Sequence, residues 1–255
     1  MLWYKAWCET RWRFLAGFVV LTFSACGTVL AYPRVMELLR SAPQIQAGGF
    51  IGREIREGIE AARDYRGYIW SQAFRQNLIQ MWTLFAVMIG SGPVFGQASG
   101  GGTLLTLSLP VSRRRLVGIR AACGLAELAV LALAPTLLIP TLSPIVGRSY
   151  GVGDALVHAG CLAVAGSTFF CLAFFFSTLT NDVWRPLLAA CGIAIAISIA
   201  GQVAPGLACY SIFPVMNGEV YFRSGSLPWL GLIASAAASM LLLYGAAANA
   251  ARQDF

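Results

Sequence analysis

Long apolar runs separated by short polar segments set the plan of this chain. Six runs, at 14–32, 74–95, 116–140, 154–179, 186–204 and 228–248, approach or exceed the ~20 residues that a helix needs to cross a bilayer. They predict an all-α, polytopic integral membrane protein, a single transmembrane domain of six transmembrane helices. Pro33 closes the first run, Pro135 and Pro140 sit near the far end of the third, where helix breakage costs least, and Pro186 takes the favoured first position of the fifth.

The segments between the runs carry their own patterns. In residues 1–13, Lys5, Glu9 and Arg13 share one helical face while Trp3, Tyr4, Trp7 and Trp12 spread over the other, which predicts an N-terminal interfacial amphipathic helix. A secretory leader is the competing reading, since Phe23-Ser24-Ala25-Cys26 imitates a lipoprotein cleavage box, but the apolar run continues past Cys26 to Tyr32. Residues 33–73 form the longest polar excursion. Within it Ile51, Ile55, Ile59 and Ala62 recur at helical spacing and Arg53/Glu57 and Arg56/Glu60 stand four apart, predicting an extracytoplasmic helix. That helix lies on the membrane or a neighbouring subunit, or is simply a solvated face. Tyr65, Tyr68 and Trp70 mark the return to the interface, and an outer loop at 206–227 holds Glu219 and Arg223.

With 58% hydrophobic and only 11% charged residues, the chain is too apolar for an ordinary soluble domain. Its net charge of +7 is scattered along the membrane-flanking segments, which suits a phospholipid surface and not nucleic acid. Six spans put both termini on one side. That side holds nine basic residues (Lys5, Arg11, Arg13, Arg113, Arg114, Arg115, Arg120, Arg185 and Arg252) against two in the short loops opposite, Arg148 and Arg223. Seven more lie between Pro33 and Arg75, largely matched by acids, so the short loops favour cytoplasmic termini in the cell (inner) membrane. The seven cysteines include no CxxC pair and no Cys/His cluster, and read as small buried hydrophobes, with Cys209 alone facing the outer compartment.

Two polar inserts remain, at 96–115 and 180–185. The first contains Gly102-Thr103-Leu104-Leu105-Thr106-Leu107-Ser108-Leu109-Pro110-Val111-Ser112-Arg113, followed by Arg114 and Arg115 and a basic, apolar start to the third run. This segment resembles the signature of type-2 ABC exporter permeases, in which a stretch of the form Glu…Gly-Thr-Leu-Leu-Leu…Leu-Pro-Val-Ser-Arg joins the second and third spans. The signature covers about a dozen residues, and the amphipathic first helix, the six spans and the position of the second insert fit the same plan. The chain departs from the pattern in having Gln97 where the family carries an acid, followed by Gly100-Gly101-Gly102. An ion pair made by that acid is therefore missing, and the glycines loosen the start of the insert.

The resemblance implies that the first insert is a coupling helix, with Thr103, Leu104, Leu107, Pro110 and Arg113 to Arg115 seated in a groove on a cytosolic protein. Asn181, Asp182 and Arg185 of the second insert would make a second contact. It further implies a homodimer of permeases driven by two copies of a cytosolic ABC ATPase subunit, exporting an amphiphile, drug, peptide or lipid-like molecule. ATP and Mg would be bound by that partner, and this chain would carry no cofactor and no catalytic residue. The glycine-rich stretch 96–103 has no lysine, so it makes no P-loop, and no cytosolic segment is long enough for a nucleotide-binding domain. The three arginines have a second reading, a topology anchor against anionic lipid.

Glu127 lies about midway through the third run, where an ionised carboxylate costs about 2.5–3.5 kcal/mol. It marks a substrate or proton contact in the translocation route, an inter-helix hydrogen bond at a subunit interface, or a site closer to the headgroups. His158 follows Asp154 by one helical turn, which predicts a capping Asp154 and an interfacial His158 and gives a poor metal site. An intramembrane enzyme using Glu127 and His158, and a membrane scaffold that moves nothing, stay open as alternatives to the transport subunit.

Overall fold

The computed structural model describes residues 2–41, 64–92, 113–180, 182–203 and 211–252. It is about 90% helical and has no strand among the described residues. The elements are α1 (Leu2–Ser41), α2 (Tyr65–Ile69), a π-helical run (Trp70–Leu78), α3 (Ile79–Gly90), α4 (Arg113–Leu142), α5 (Val152–Leu179), α6 (Trp184–Val203), the short α7 (Phe213–Met216) and α8 (Glu219–Ser224), and α9 (Trp229–Arg252). Five helices are long and apolar enough to cross a membrane: α1, α4, α5, α6 and α9. The α2–π–α3 rod packs among them without reaching that apolarity, because Gln72, Arg75, Gln76, Asn77 and Gln80 interrupt its apolar face.

The core lies around α5, which packs against α3, α4, α6 and α9. Large and small residues interlock at these crossings. The Trp82 ring lies against Gly166 of α5, where any β-carbon would collide with it, and its indole N–H donates to the Leu128 carbonyl of α4 at 3.3 Å. Gly90 lets the end of α3 meet the α5 backbone around Phe170, and Gly124 of α4 admits the Phe170 ring. Trp82, Phe169, Phe170 and Phe174 are fully buried in consequence.

Several boundaries differ from those that the sequence predicts. Residues 1–13 and the first apolar run form one continuous 40-residue helix, and Pro33 lies inside it. Proline removes a backbone donor and crowds the preceding turn. The Tyr68 hydroxyl of the neighbouring rod donates to the Thr28 carbonyl at 3.1 Å, one residue before the Val29 carbonyl that Pro33 leaves without a helical donor. Pro135 and Pro140 are likewise internal to α4, which ends at Leu142 before a 3₁₀ turn at Ser143–Val146. Helix α6 starts two residues before Pro186, and the loop before α9 contains α7 and α8, which the polar pattern did not predict. Cys123, Cys161 and Cys171 are buried while Cys8, Cys26 and Cys191 are half-buried. The helix predicted around 51–62, Cys209, and the insert residues Thr103, Leu104, Leu107, Pro110 and Asn181 lie outside the described residues.

Candidate functional site

The first insert lies in sequence between Gly92 and Arg113, so its two feet are the end of α3 and the start of α4. Both are held by the amino-terminal part of α1. Arg13 donates to the Met88 carbonyl at 2.7 Å, and Arg120 of α4 pairs with Glu9 at 3.5 Å. The Arg120 guanidinium also rests on Gly92, whose missing side chain makes room for it. Arg120 is nearly fully buried, whereas the Glu9 side chain is 40% exposed. A charge withdrawn from water in this way is retained only where a partner faces it, and Glu9 supplies the partner from another helix.

One to two turns deeper, Glu127 is 3% exposed. The Thr10 hydroxyl donates to its Oε1, and the Cys123 thiol donates to the same oxygen at 3.7 Å. Its Oε2 is buried without a hydrogen-bond partner among the described residues. Glu127 thus makes an inter-helix contact within this chain, with α1 as the second helix. Arg120 and Glu127 stand seven apart on one face of α4, and Thr10 falls between Glu9 and Arg13 on α1. The result is a polar seam joining α1, α3 and α4.

The second insert sits at the same end of the bundle, between the end of α5 and the start of α6. Asp182 accepts the Trp184 backbone N–H at 3.2 Å and lies 3.9 Å from Arg185, both side chains being exposed. The foot of α5 is tied to α9 by Asn249, whose amide donates to the Thr178 carbonyl at 2.9 Å. Arg114 and Arg115 are exposed at the start of α4.

The opposite end is closed differently. Asp154 does not cap α5, whose N-cap is Gly151; it pairs with Arg66 at 3.2 Å and accepts the Tyr221 hydroxyl at 2.8 Å. That bond and partial burial hold the Tyr221 hydroxyl above the ordinary tyrosine range, and burial does the same to Tyr150. His158 is buried inside the bundle. It is 1% exposed, stacked on Phe74 at 4.4 Å, faced by the Tyr221 edge at 5.7 Å and roofed by Gly218. Its Nδ1 lies 2.7 Å from the Asp154 carbonyl, which only accepts, so Nδ1 carries the proton. Trp70 stacks flat on Phe222 at 4.5 Å and donates to the Asn217 carbonyl, fastening α7 and α8 over this end.

Glu127, midway along α4, and His158, near the start of α5, therefore belong to separate clusters. Among the described residues no group of three or more His, Cys, Asp or Glu side chains is placed to hold a metal ion. The seam residues Glu9, Thr10, Arg13 and Arg120 were not foreseen as a site. The signals available were two spacings, Glu9/Arg13 and Arg120/Glu127, each placing charges on one helical face.

The five long apolar helices and the charges paired between them fit a multi-pass helical membrane protein. Comparison with known proteins adds no family, since no family model, no curated protein and no solved structure matches the chain.

Proposed function

We propose that the chain is the membrane-spanning permease subunit of an ATP-driven exporter of the ABC type, moved by a separate cytosolic ATPase that presses on the two inserts. In this reading the α2–π–α3 rod is the second of six spans, both termini and both inserts face the cytoplasm, and the membrane is the inner one. The cargo is an amphiphilic small molecule, drug, peptide or lipid-like substrate. The observation that carries the reading is the seam at the feet of the first insert. Arg13 on Met88, and Arg120 on Glu9 and Gly92, mean that α3 and α4 cannot shift at this end without taking the start of α1 with them. A push on residues 93–112 is then delivered to three helices together, which is what a coupling segment requires.

The test is co-purification with the ATPase encoded beside this chain. Leu107→Asp combined with Arg113→Asp is expected to abolish the complex while leaving the membrane protein folded; an intact complex would remove the coupling assignment. ATPase rates indifferent to the subunit would leave a scaffold, and a hydrolytic activity lost in Glu127→Gln with the complex intact would favour an enzyme.

A further inference from the structure

Glu127 is the only carboxyl group buried among the described residues, and it lies at the midpoint of the 30-residue α4, next to the Leu128 carbonyl that meets Trp82. Its two oxygens have unequal surroundings. Oε1 accepts from the Thr10 hydroxyl and the Cys123 thiol, whereas Oε2 has no partner among the described residues. A carboxylate shares its charge over both oxygens and calls for donors at each, charged ones above all. A carboxylic acid has the pattern seen here, a carbonyl oxygen that accepts and a hydroxyl oxygen that carries its own proton. Both donors are neutral, so ionising Glu127 in this arrangement would leave a charge in the apolar centre of the bundle without a cation bonded to it.

The cation within reach is Arg120. It precedes Glu127 by two turns on the same face of α4, about 10 Å along the axis, and helical side chains tilt toward the amino terminus, so Glu127 leans its way. Its charge already acts on Glu127. Arg120 is buried, yet its present partner Glu9 is 40% exposed and stands at the watered edge of the seam. The other charges of α1 nearby are turned elsewhere: Lys5 and Arg11 are exposed, and Arg13 is engaged on the Met88 carbonyl. The remaining helices packed on α4 do not compete, since α3, residues 161–179 of α5 and residues 229–251 of α9 contain no carboxylate, guanidinium or imidazole.

We propose that Glu127 is a proton-binding site and the second seat of Arg120: while the proton is on Oε2, Arg120 pairs with Glu9, and when it leaves, Arg120 crosses to Glu127 and releases Glu9. Only the O–H bond of Glu127 breaks. The proton passes to water at the Glu9 edge, and the guanidinium stays charged throughout. Glu9 is on α1 and Glu127 on α4, so the exchange trades an ion pair between two helices for one within a single helix. One proton thereby decides whether this pair ties α1 to the start of α4. The inference goes beyond the transport reading and does not depend on an ATPase.

The test is infrared spectroscopy of the purified full chain in lipid vesicles at neutral pH, reading the carbonyl stretch of a protonated carboxyl. The natural chain should show this band and Glu127→Gln should lose it. Glu9→Gln should lose it as well, because Arg120, deprived of Glu9, draws the proton off Glu127. Arg120→Met should keep the band, and Glu9→Gln combined with Arg120→Met should bring it back. The amide band of the same spectra reports whether each variant is folded; where Glu9→Gln is not, Glu9→Asp takes its place, with a weakened band expected and an unchanged one counting against the exchange. A spectrum from which Glu127→Gln removes nothing would show an ionised Glu127 and overturn the proton site. A full band in folded Glu9→Gln would show that Arg120 has a single seat and overturn the exchange.

Discussion

The two ends of this bundle solve the same problem, polar groups among apolar helices, in opposite ways. At the end where the inserts attach, the contacts are few, directional and made between helices: Arg13 to the Met88 carbonyl and Arg120 to Glu9, with Thr10 to Glu127 deeper, midway along α4. At the other end a small loop with two short helices is fastened down by stacked rings, Trp70 on Phe222 and Phe74 on His158, around the Arg66–Asp154–Tyr221 group. Ring stacking excludes water over a broad area and resists opening, whereas a few directional bonds between rods transmit displacement and can be exchanged. In this account one end is sealed and the other is a joint.

Removing the seal should be the costliest change. Trp70→Ala deletes both the stack on Phe222 and the bond to Asn217, and is expected to lose about 3–5 kcal/mol of stability in a detergent denaturation series while leaving ATPase binding intact. Loss of ATPase binding with unchanged stability would reverse the roles of the two ends. Next comes the central crossing. Gly166→Val drives a side chain into the Trp82 ring and should cost about 1–3 kcal/mol, read in the same series, where a neutral result would deny the close approach of α3 and α5.

At the joint the expected phenotype is kinetic. Arg120→Met removes the pair with Glu9, and because Glu9 is 40% exposed the stability lost should be only about 1 kcal/mol. The ATPase should still bind, but stimulation of its rate by the membrane subunit should disappear; preserved stimulation would show that the seam transmits nothing. The smallest effect belongs to the Asp154 group. Tyr221→Phe should cost about 0.5–1.5 kcal/mol. Since Tyr221 and Tyr150 keep their protons more tightly when folded, their contribution is complete below the ordinary tyrosine range near pH ~10 and fades as pH rises through their higher folded values. Proteolysis of the loop before α9 should therefore accelerate only above about pH 10, and less steeply in Tyr221→Phe.

Much of the architecture was legible because lipid imposes a simple rule on sequence. The predicted fourth run, 154–179, differs from α5 by two residues at one end, since Gly151 and Gly153 precede it and Thr180 ends it. Where prediction and fold differ, the cause is a partner remote in sequence. Pro33 does not end α1, which runs on to Ser41 and is bonded beside that turn by Tyr68, 40 residues from the Thr28 carbonyl it meets. His158 looked interfacial because nothing local indicates that Gly218 and Tyr221 will cover it. The seam was missed for the same reason, as Thr10 and Glu127 are 117 residues apart. Polar spacing alone identified charges on faces, and it could not say which faces would meet.

The account's central claim is that the first insert faces the ATPase, and the direct measurement is the accessibility of a thiol at position 110. A Pro110→Cys variant should react with a membrane-impermeant maleimide in inverted vesicles, be silent in intact cells, and lose its reactivity when the ATPase is added. Labelling in intact cells, or labelling in inverted vesicles that the ATPase does not block, would contradict it.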